Sequence, residues 1–236
     1  MVFSYRNDPG ADGAGVVCCD AVGPDGGGFD LSLVVPDAWR APDWDVLEAT
    51  LGLPALNVHQ VHGNRVVRVD ADTDPRALAA EHADALVTNA RGVALAVRAA
   101  DCLPVLFADP DAGVVGAAHA GRAGLAAGVL PATLARLVEL GAGRVTAWIG
   151  PHICGACYEV PEAMRDAFGA DHPAAVATTS WGTPSLDLGA AAQAQLTALG
   201  CTVLRVGACT RETPTLHSYR RDGERSGRQA GLVWLP

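Results

Sequence analysis

The 236-residue sequence contains no lysine: all seventeen of its basic residues are arginine. That excludes Schiff-base chemistry and a phosphate-binding P-loop, both of which need a lysine amine. Arginine leaves bidentate capture of phosphate or carboxylate open. Charged residues are also scarce, at 18%, and aromatics make up 5%. Half the residues are hydrophobic, which argues against wholesale disorder. No apolar run reaches membrane-spanning length, because Asp, Arg or Gly interrupts each one. Acidic residues outnumber basic ones, 26 to 17, for a net charge of -9. A general nucleic-acid or anionic-membrane binder needs the opposite sign. The segment from Met1 to Arg6 lacks the basic and apolar regions of a secretory signal, so the expected location is the cytoplasm. The seven cysteines are Cys18, Cys19, Cys102, Cys154, Cys157, Cys201 and Cys209. An odd number without an export signal reads as free thiols or metal ligands, not a disulfide framework.

Apolar and β-branched runs between turn residues predict strands at 14–19, 55–62, 65–70, 85–88, 93–97, 103–108, 114–118, 145–149, 202–206 and 230–235. Apolar residues at three- and four-residue spacing, with stop signals, predict helices at 42–51, 122–139, 162–168 and 188–199. The short gaps joining 93–97, 103–108 and 114–118 predict antiparallel neighbours, since a parallel crossover needs a dozen or more residues. The Gly-rich stretch 22–30 reads as a flexible loop rather than a phosphate cradle. No repeat, linker or composition break divides the chain. The expected fold is one α/β domain with a mixed sheet; a Rossmann fold would need regular strand–helix alternation and a glycine fingerprint, and has neither here.

Three segments carry reactive side chains at the ends of apolar strands: His59-Gln60-Val61-His62-Gly63, Ala100-Asp101-Cys102-Leu103-Pro104-Val105 and Ala118-His119-Ala120-Gly121. Two imidazoles and one thiolate suit a catalytic zinc site, which keeps a fourth position open. The same residues admit two other readings. Cys102 is a nucleophile with His119 as its base, oriented by Asp101 or Asp84; or the histidines are hydrogen-bonded strand-end residues and Cys102 a small core hydrophobe. Their spacing alone separates none of these. Cys154 and Cys157 form a single CxxC with no second CxxC to complete a four-cysteine site, and read as two unrelated free thiols. The segment Ser218-Tyr219-Arg220-Arg221-Asp222, with Arg225 and Arg228, is the one cationic cluster. It is either a solvated loop held by Asp222 and Glu224 or a set of guanidinium forks for an anion.

Taken in order, these segments resemble the bacterial laccase-domain proteins, also called polyphenol oxidoreductases or peptidoglycan editing factors and assigned as purine nucleoside phosphorylases. The resemblance rests on Gln60 to Gly63, Ala85 to Asn89, Ala100 to Val105, Ala117 to Gly121, Ile149 to Pro151, Cys157 to Val160 and Ser218 to Asp222, and covers nearly the whole chain from about residue 55. It implies a layered α/β/β/α sandwich with mixed sheets and flanking helices, and zinc held by His62, Cys102 and His119. It also implies phosphorolysis of adenosine, inosine and methylthioadenosine, with deamination of adenosine. Gln60, Arg122, Arg220 and Arg221 are the expected substrate-binding residues. The expected partners are purine nucleosides and phosphate, with no nucleic acid or membrane, and the expected state is a monomer or homodimer. The alternatives are an amidase that edits peptidoglycan precursors, a Cys–His hydrolase, and a non-enzymatic binding protein with His59 as a fourth metal ligand.

The sequence departs from the family pattern in places. His119-Ala120-Gly121-Arg122-Ala123-Gly124 replaces HAGWRG, Ala100 replaces a Thr, and the N-terminal SLNLG motif is reduced to Asp30-Leu31-Ser32-Leu33-Val34. Copper is expected only as an adventitious occupant. Four-copper laccase chemistry needs more histidines than the seven present, and a blue-copper site wants an axial ligand such as Met, of which there are two.

Overall fold

A computed structural model describes residues 3–9, 13–33 and 40–236; Val34, the end of the reduced N-terminal motif, lies outside the described residues. The strands β1 (Phe3–Asn7) and β2 (Gly15–Cys19) pair antiparallel. Helix α1 (Asp43–Leu51) places Asp43 and Asp45 at the positive end of its dipole and closes on Gly52. There follow β3 (Ala55–Leu56), β4 (Val66–Arg68), α2 (Pro75–Ala80), β5 (Ala85–Thr88), β6 (Ala94–Ala99), β7 (Leu103–Asp109) and β8 (Val114–Ala120). Next come α3 (Arg122–Ala126), α4 (Val129–Glu139), β9 (Thr146–Ile149), α5 (Glu162–Asp171), β10 (Val176–Thr178) and β11 (Pro184–Leu186). The last elements are α6 (Leu188–Ala198), β12 (Thr202–Arg205), α7 (Tyr219–Asp222) and β13 (Gln229–Trp234).

Two sheets form the centre of this mixed α/β domain. One has the order β1-β2-β13-β6-β3, the other β12-β9-β7-β8-β5-β4, and β10 and β11 make a separate ribbon. Successive side chains of a strand face opposite ways, so a strand buried on both faces reads as a continuous apolar run. On β7, Leu106 and Ala108 face the other sheet, meeting Leu95 and Val97 of β6 and Val233 of β13. Leu103, Val105 and Phe107 face outward, under Leu130 and Leu137 of α4 and Leu196 of α6. The other sheet is covered on its outside by Trp44 and Leu47 of α1, which pack on Val17, Ala96 and Leu232. Three cores between four layers give the α/β/β/α sandwich. Each fully buried Leu in them contributes about 2 kcal/mol of transfer free energy.

Three local expectations need correction, and each correction matters to function. The strand expected at 55–62 ends at Leu56; beyond Val58 the chain loops, and His62 takes a left-handed φ of 61°. The cause is Asp84, whose carboxylate accepts the N–H groups of Val61, His62 and Gly63 that a sheet would otherwise use. Second, β6 and β7 are not neighbours. The chain changes sheets across Ala100 to Cys102, with Asp101 at φ 92°. Third, the helix expected at 122–139 is two helices, broken at Gly128, which sits at φ 81°.

Candidate active site

The change of sheets puts Cys102 at the start of β7, next to the end of β8, which carries His119; the two strands pair with Leu103 opposite Ala120. The loop after β3 brings His62 to the same edge. Donor atoms of His62, Cys102 and His119 all lie within 4.8 Å of one another. Cys102 Sγ is 3.8 Å from His62 Nε2, and the two imidazole rings meet edge-on with centroids 4.7 Å apart. Gly121 keeps the cluster open from behind: a Cβ there would lie 2.8 Å from Cys102 Sγ and 2.9 Å from the His62 ring.

Asp84 is fully buried and organises the trio. Besides the three backbone N–H groups of the His62 loop, its carboxylate lies 2.8 Å from His119 Nδ1. Burial alone would raise the Asp84 pKa, but the bonds from His119 and from the Gly63 and Val61 amides hold it below the usual carboxylate range. An ionised carboxylate only accepts, so His119 Nδ1 carries the proton and Nε2 presents its lone pair. Burial also lowers the His119 pKa against the pull of Asp84, which keeps the imidazole neutral. A neutral imidazole fixed by a carboxylate is the arrangement that prepares a metal ligand. Burial, with the negative charge of Asp101 beside it, pushes the Cys102 thiol up to about 12. Of the two carboxylates considered for orienting the imidazole, Asp84 does so. Asp101 instead accepts the Thr210 hydroxyl and the Arg220 amide, each at 2.6 Å.

The trio opens into a cavity of about 560 Å³, within the range of small-molecule sites. Its walls include Tyr158, Tyr219 and three arginines, Arg98, Arg220 and Arg228. Arg220 lies over the Tyr158 ring at 5.1 Å and donates to the Glu159 carbonyl at 2.7 Å; Arg228 lies over Tyr219 at 6.0 Å and donates to the Ser226 and Gly227 carbonyls, so ring faces and carbonyls together hold both guanidiniums. Arg98 is lowered to about 10 by burial and by the like charge of Arg228.

Other expected residues are placed differently. Arg221 turns away from the cavity: its guanidinium donates to the carbonyls of Thr210, Thr213 and Leu216 and pairs with Asp222. It staples the loop before α7. Arg122 lies beside Tyr158, whose ionisation its charge favours, and lines a neighbouring cavity of about 210 Å³. Gln60 borders the main cavity, but its amide is engaged on both sides by the Arg98 backbone, at 2.7 and 2.8 Å. His59 is not gathered with the trio; its ring packs on His82 with centroids 4.8 Å apart. The CxxC thiols are not unrelated: Cys154 and Cys157 meet Cys209 and Glu212. Arg98 belongs to none of the sequence motifs; its one signal is a lone charge inside the apolar run Val93 to Ala99.

A family model described as multi-copper polyphenol oxidoreductase laccase matches residues 38–236. The chain belongs to that family. A Streptomyces coelicolor protein named purine nucleoside phosphorylase is 52% identical over 181 residues, covering 75% of this chain and 74% of that one. Another of that name, from Mycobacterium tuberculosis, is 46% identical over 195 residues, covering 80% and 76%. Among solved structures, a Neisseria meningitidis protein superposes with a TM-score of 0.79 at 32% identity, covering 100% of this chain and 99% of that one. YlmD from Geobacillus stearothermophilus superposes at 0.77 with 26% identity, covering 99% and 98%. The laccase-domain family takes its description from copper, but among the described residues only two groups of three or more His, Cys, Asp or Glu side chains converge, and one holds no histidine. That leaves nothing to build a trinuclear copper cluster. No helix among the described residues is long and apolar enough to cross a membrane.

Proposed function

We propose that this laccase-domain protein is a zinc-dependent purine nucleoside phosphorylase that also deaminates adenosine. One observation carries the reading: a single cavity joins a two-imidazole, one-thiol donor set to three guanidiniums. Arg98 is the most deeply set of the three, a largely buried cation on the cavity wall whose charge an anion in the cavity would offset. The relatives named purine nucleoside phosphorylase support the same substrates.

His62, Cys102 and His119 would hold the metal; when bound there, zinc supplies Lewis acidity and an acidified water at its open position. Zinc is favoured over copper because the set has no axial thioether and resembles a three-ligand hydrolytic site. Arg98, Arg220 and Arg228 hold phosphate against the ribose. A phosphate oxygen bonds C1′ as the C1′–N9 bond breaks, and the departing base takes up a proton at nitrogen. Holding both reactants in line provides the effective-molarity gain. Tyr158 and Tyr219 offer flat walls for base and sugar. In deamination, water adds to the purine carbon bearing the amine and ammonia leaves.

Asp84 and His119 also form the acid–base half of a thiol hydrolase, although the imidazole in contact with Cys102 Sγ is that of His62, at 3.8 Å. A thiol pKa near 12 opposes that reading, because without a cation the sulfur stays protonated at neutral pH. The test is chromatography of adenosine incubated with phosphate. Adenine, ribose 1-phosphate and some inosine are expected, and Cys102→Ala should abolish all three. Arg98→Met should raise the phosphate KM at least tenfold. Absence of these products, with cleavage of a peptidoglycan precursor instead, would replace the phosphorylase by the editing amidase.

A further inference from the structure

The second convergent group lies outside the cavity and plays no part in the reaction above. Strands β9 and β12 are parallel neighbours, with Arg205 opposite Ile149, so the chain leaves both at the same end of the sheet. The loop after β9 carries Cys154 and Cys157, and the loop after β12 carries Cys209 and Glu212. The two loops stay in register beyond the strands through a bridge between His152 and Cys209.

Each loop presents its two side chains at i and i+3 on a tight turn. In the first, the amides of Cys157 and Tyr158 both donate to the Cys154 carbonyl at 3.0 Å; in the second, Thr213 donates to the Cys209 carbonyl at 3.0 Å. The Cys154 amide points at Cys209 Sγ, 3.4 Å away, an N–H···S contact that favours negative charge on sulfur. Three sulfurs and a carboxylate oxygen thus lie within 4.8 Å of one another, with Cys157 buried and Glu212 at the solvent edge.

We propose that Cys154, Cys157, Cys209 and Glu212 form a second metal site, a closed structural zinc site that clips these two loops together. Four ligands fill the tetrahedral preference of zinc and leave no open position, unlike the three-ligand set in the cavity. Thiolates select a borderline-soft ion such as zinc over magnesium or calcium. A redox pair is the rival for any CxxC, but such a pair needs only its own two sulfurs. Here a third thiol and a carboxylate from a second loop converge on the pair within 4.8 Å, a complete four-donor set. Binding displaces three thiol protons to solvent and involves no change of oxidation state.

The clip serves the active site from behind. Ile153 donates its amide to the Asp101 carbonyl at 3.0 Å, and Thr210 donates its hydroxyl to the Asp101 carboxylate at 2.6 Å. Both clipped loops therefore grip the left-handed turn that aims Cys102 into the cavity. Tyr158, the aromatic floor under Arg220, follows Cys157 directly.

The test uses full-length Cys102→Ala protein, purified under reducing conditions, so that zinc found in it is not held by the cavity trio. Elemental mass spectrometry should find about one zinc per chain, set by the four-ligand site. Adding Cys209→Ser should remove it. The milder Glu212→Gln, at an exposed position that leaves the fold intact by circular dichroism, should weaken zinc retention at least tenfold against a chelator. After exchange for cobalt(II), a thiolate-to-cobalt charge-transfer band should appear in Cys102→Ala and disappear in Cys102→Ala/Cys209→Ser. Cys102→Ala protein without stoichiometric zinc and without the cobalt band would overturn the proposal. So would zinc content and retention unmoved by both Cys209→Ser and Glu212→Gln, or a disulfide between any two of the three cysteines in the freshly reduced protein. Loss of zinc from the cavity site alone leaves each of these readouts intact.

Discussion

A single buried carboxylate sets the geometry of two residues of the trio. Asp84 fixes His62 through the backbone of its loop and His119 through its ring, so one side chain holds a strained φ and selects a tautomer. Asp84→Asn keeps the shape but loses the charge, and an amide N–H would face a donor in at least one of four contacts. Stability should fall by about 3 kcal/mol, the cost of unsatisfied buried groups around a lost ionic acceptor. Zinc affinity should fall 10- to 100-fold, the usual range for removing a carboxylate behind a metal-bound imidazole. Chelator competition on protein shown to be folded by circular dichroism checks the second effect. Unchanged affinity would mean that Asp84 acts on the fold alone. All three members of the trio are legible in the sequence because each belongs to a recognisable segment of reactive side chains, even though His62 sits in a loop and not at a strand end. Asp84 stands in the sequence only as one of two candidates, since nothing in the local pattern around Ala83 and Ala85 distinguishes an imidazole-orienting carboxylate from an ordinary turn residue.

At the scale of elements, apolar periodicity located the strands well and their partners poorly. The run from Leu103 to Asp109 is buried on both faces, and such a strand looks the same in either sheet. The short link from β6 to β7 read as a hairpin, yet it is a crossing between layers made possible by the left-handed turn at Asp101. Sequence separation carries no trace of that crossing, and without it Cys102 would not meet His62, forty residues earlier. The same limit hid the meeting of Cys154 and Cys157 with Cys209, which depends on two parallel strands far apart in sequence. The break between α3 and α4 was legible in principle: Gly128 interrupts an otherwise continuous helical pattern. Its φ of 81° is one that a side chain resists. Gly128→Ala should therefore destabilise by about 1 kcal/mol despite the higher helix propensity of alanine, lowering the melting temperature by ~3 °C. Calorimetry that found stabilisation would show that the two helices can merge into one.

The whole molecule is an acidic protein whose folded state holds several carboxylates in ionised form, and its stability should reflect that in acid. Asp109 is the clearest case away from the active site. It ends β7, is 2% exposed, and accepts the amides of Gly143 and Arg144 at 2.7 Å and of Ala112 at 3.2 Å, tying the β7–β8 turn to the approach of β9. Burial would raise its pKa, but those backbone donors outweigh it and hold the value below the ordinary aspartate range. A depressed carboxylate pKa means that the unfolded chain binds the proton more tightly than the folded one. Its contribution is therefore fully present above about pH 4 and is lost as pH falls through the lower folded value. Neutralising the other carboxylates over the same range leaves seventeen arginines unopposed, and their repulsion adds to the loss. Asp109→Asn should be less stable than wild type by about 2 kcal/mol at pH 7, because charge-assisted hydrogen bonds become neutral ones. That gap should narrow below pH 4, where wild type loses the charge that the variant never had. Urea unfolding of both proteins at pH 7, 5, 4 and 3 measures it directly. A gap as wide at pH 3 as at pH 7 would mean that Asp109 supports the turn by shape rather than by charge.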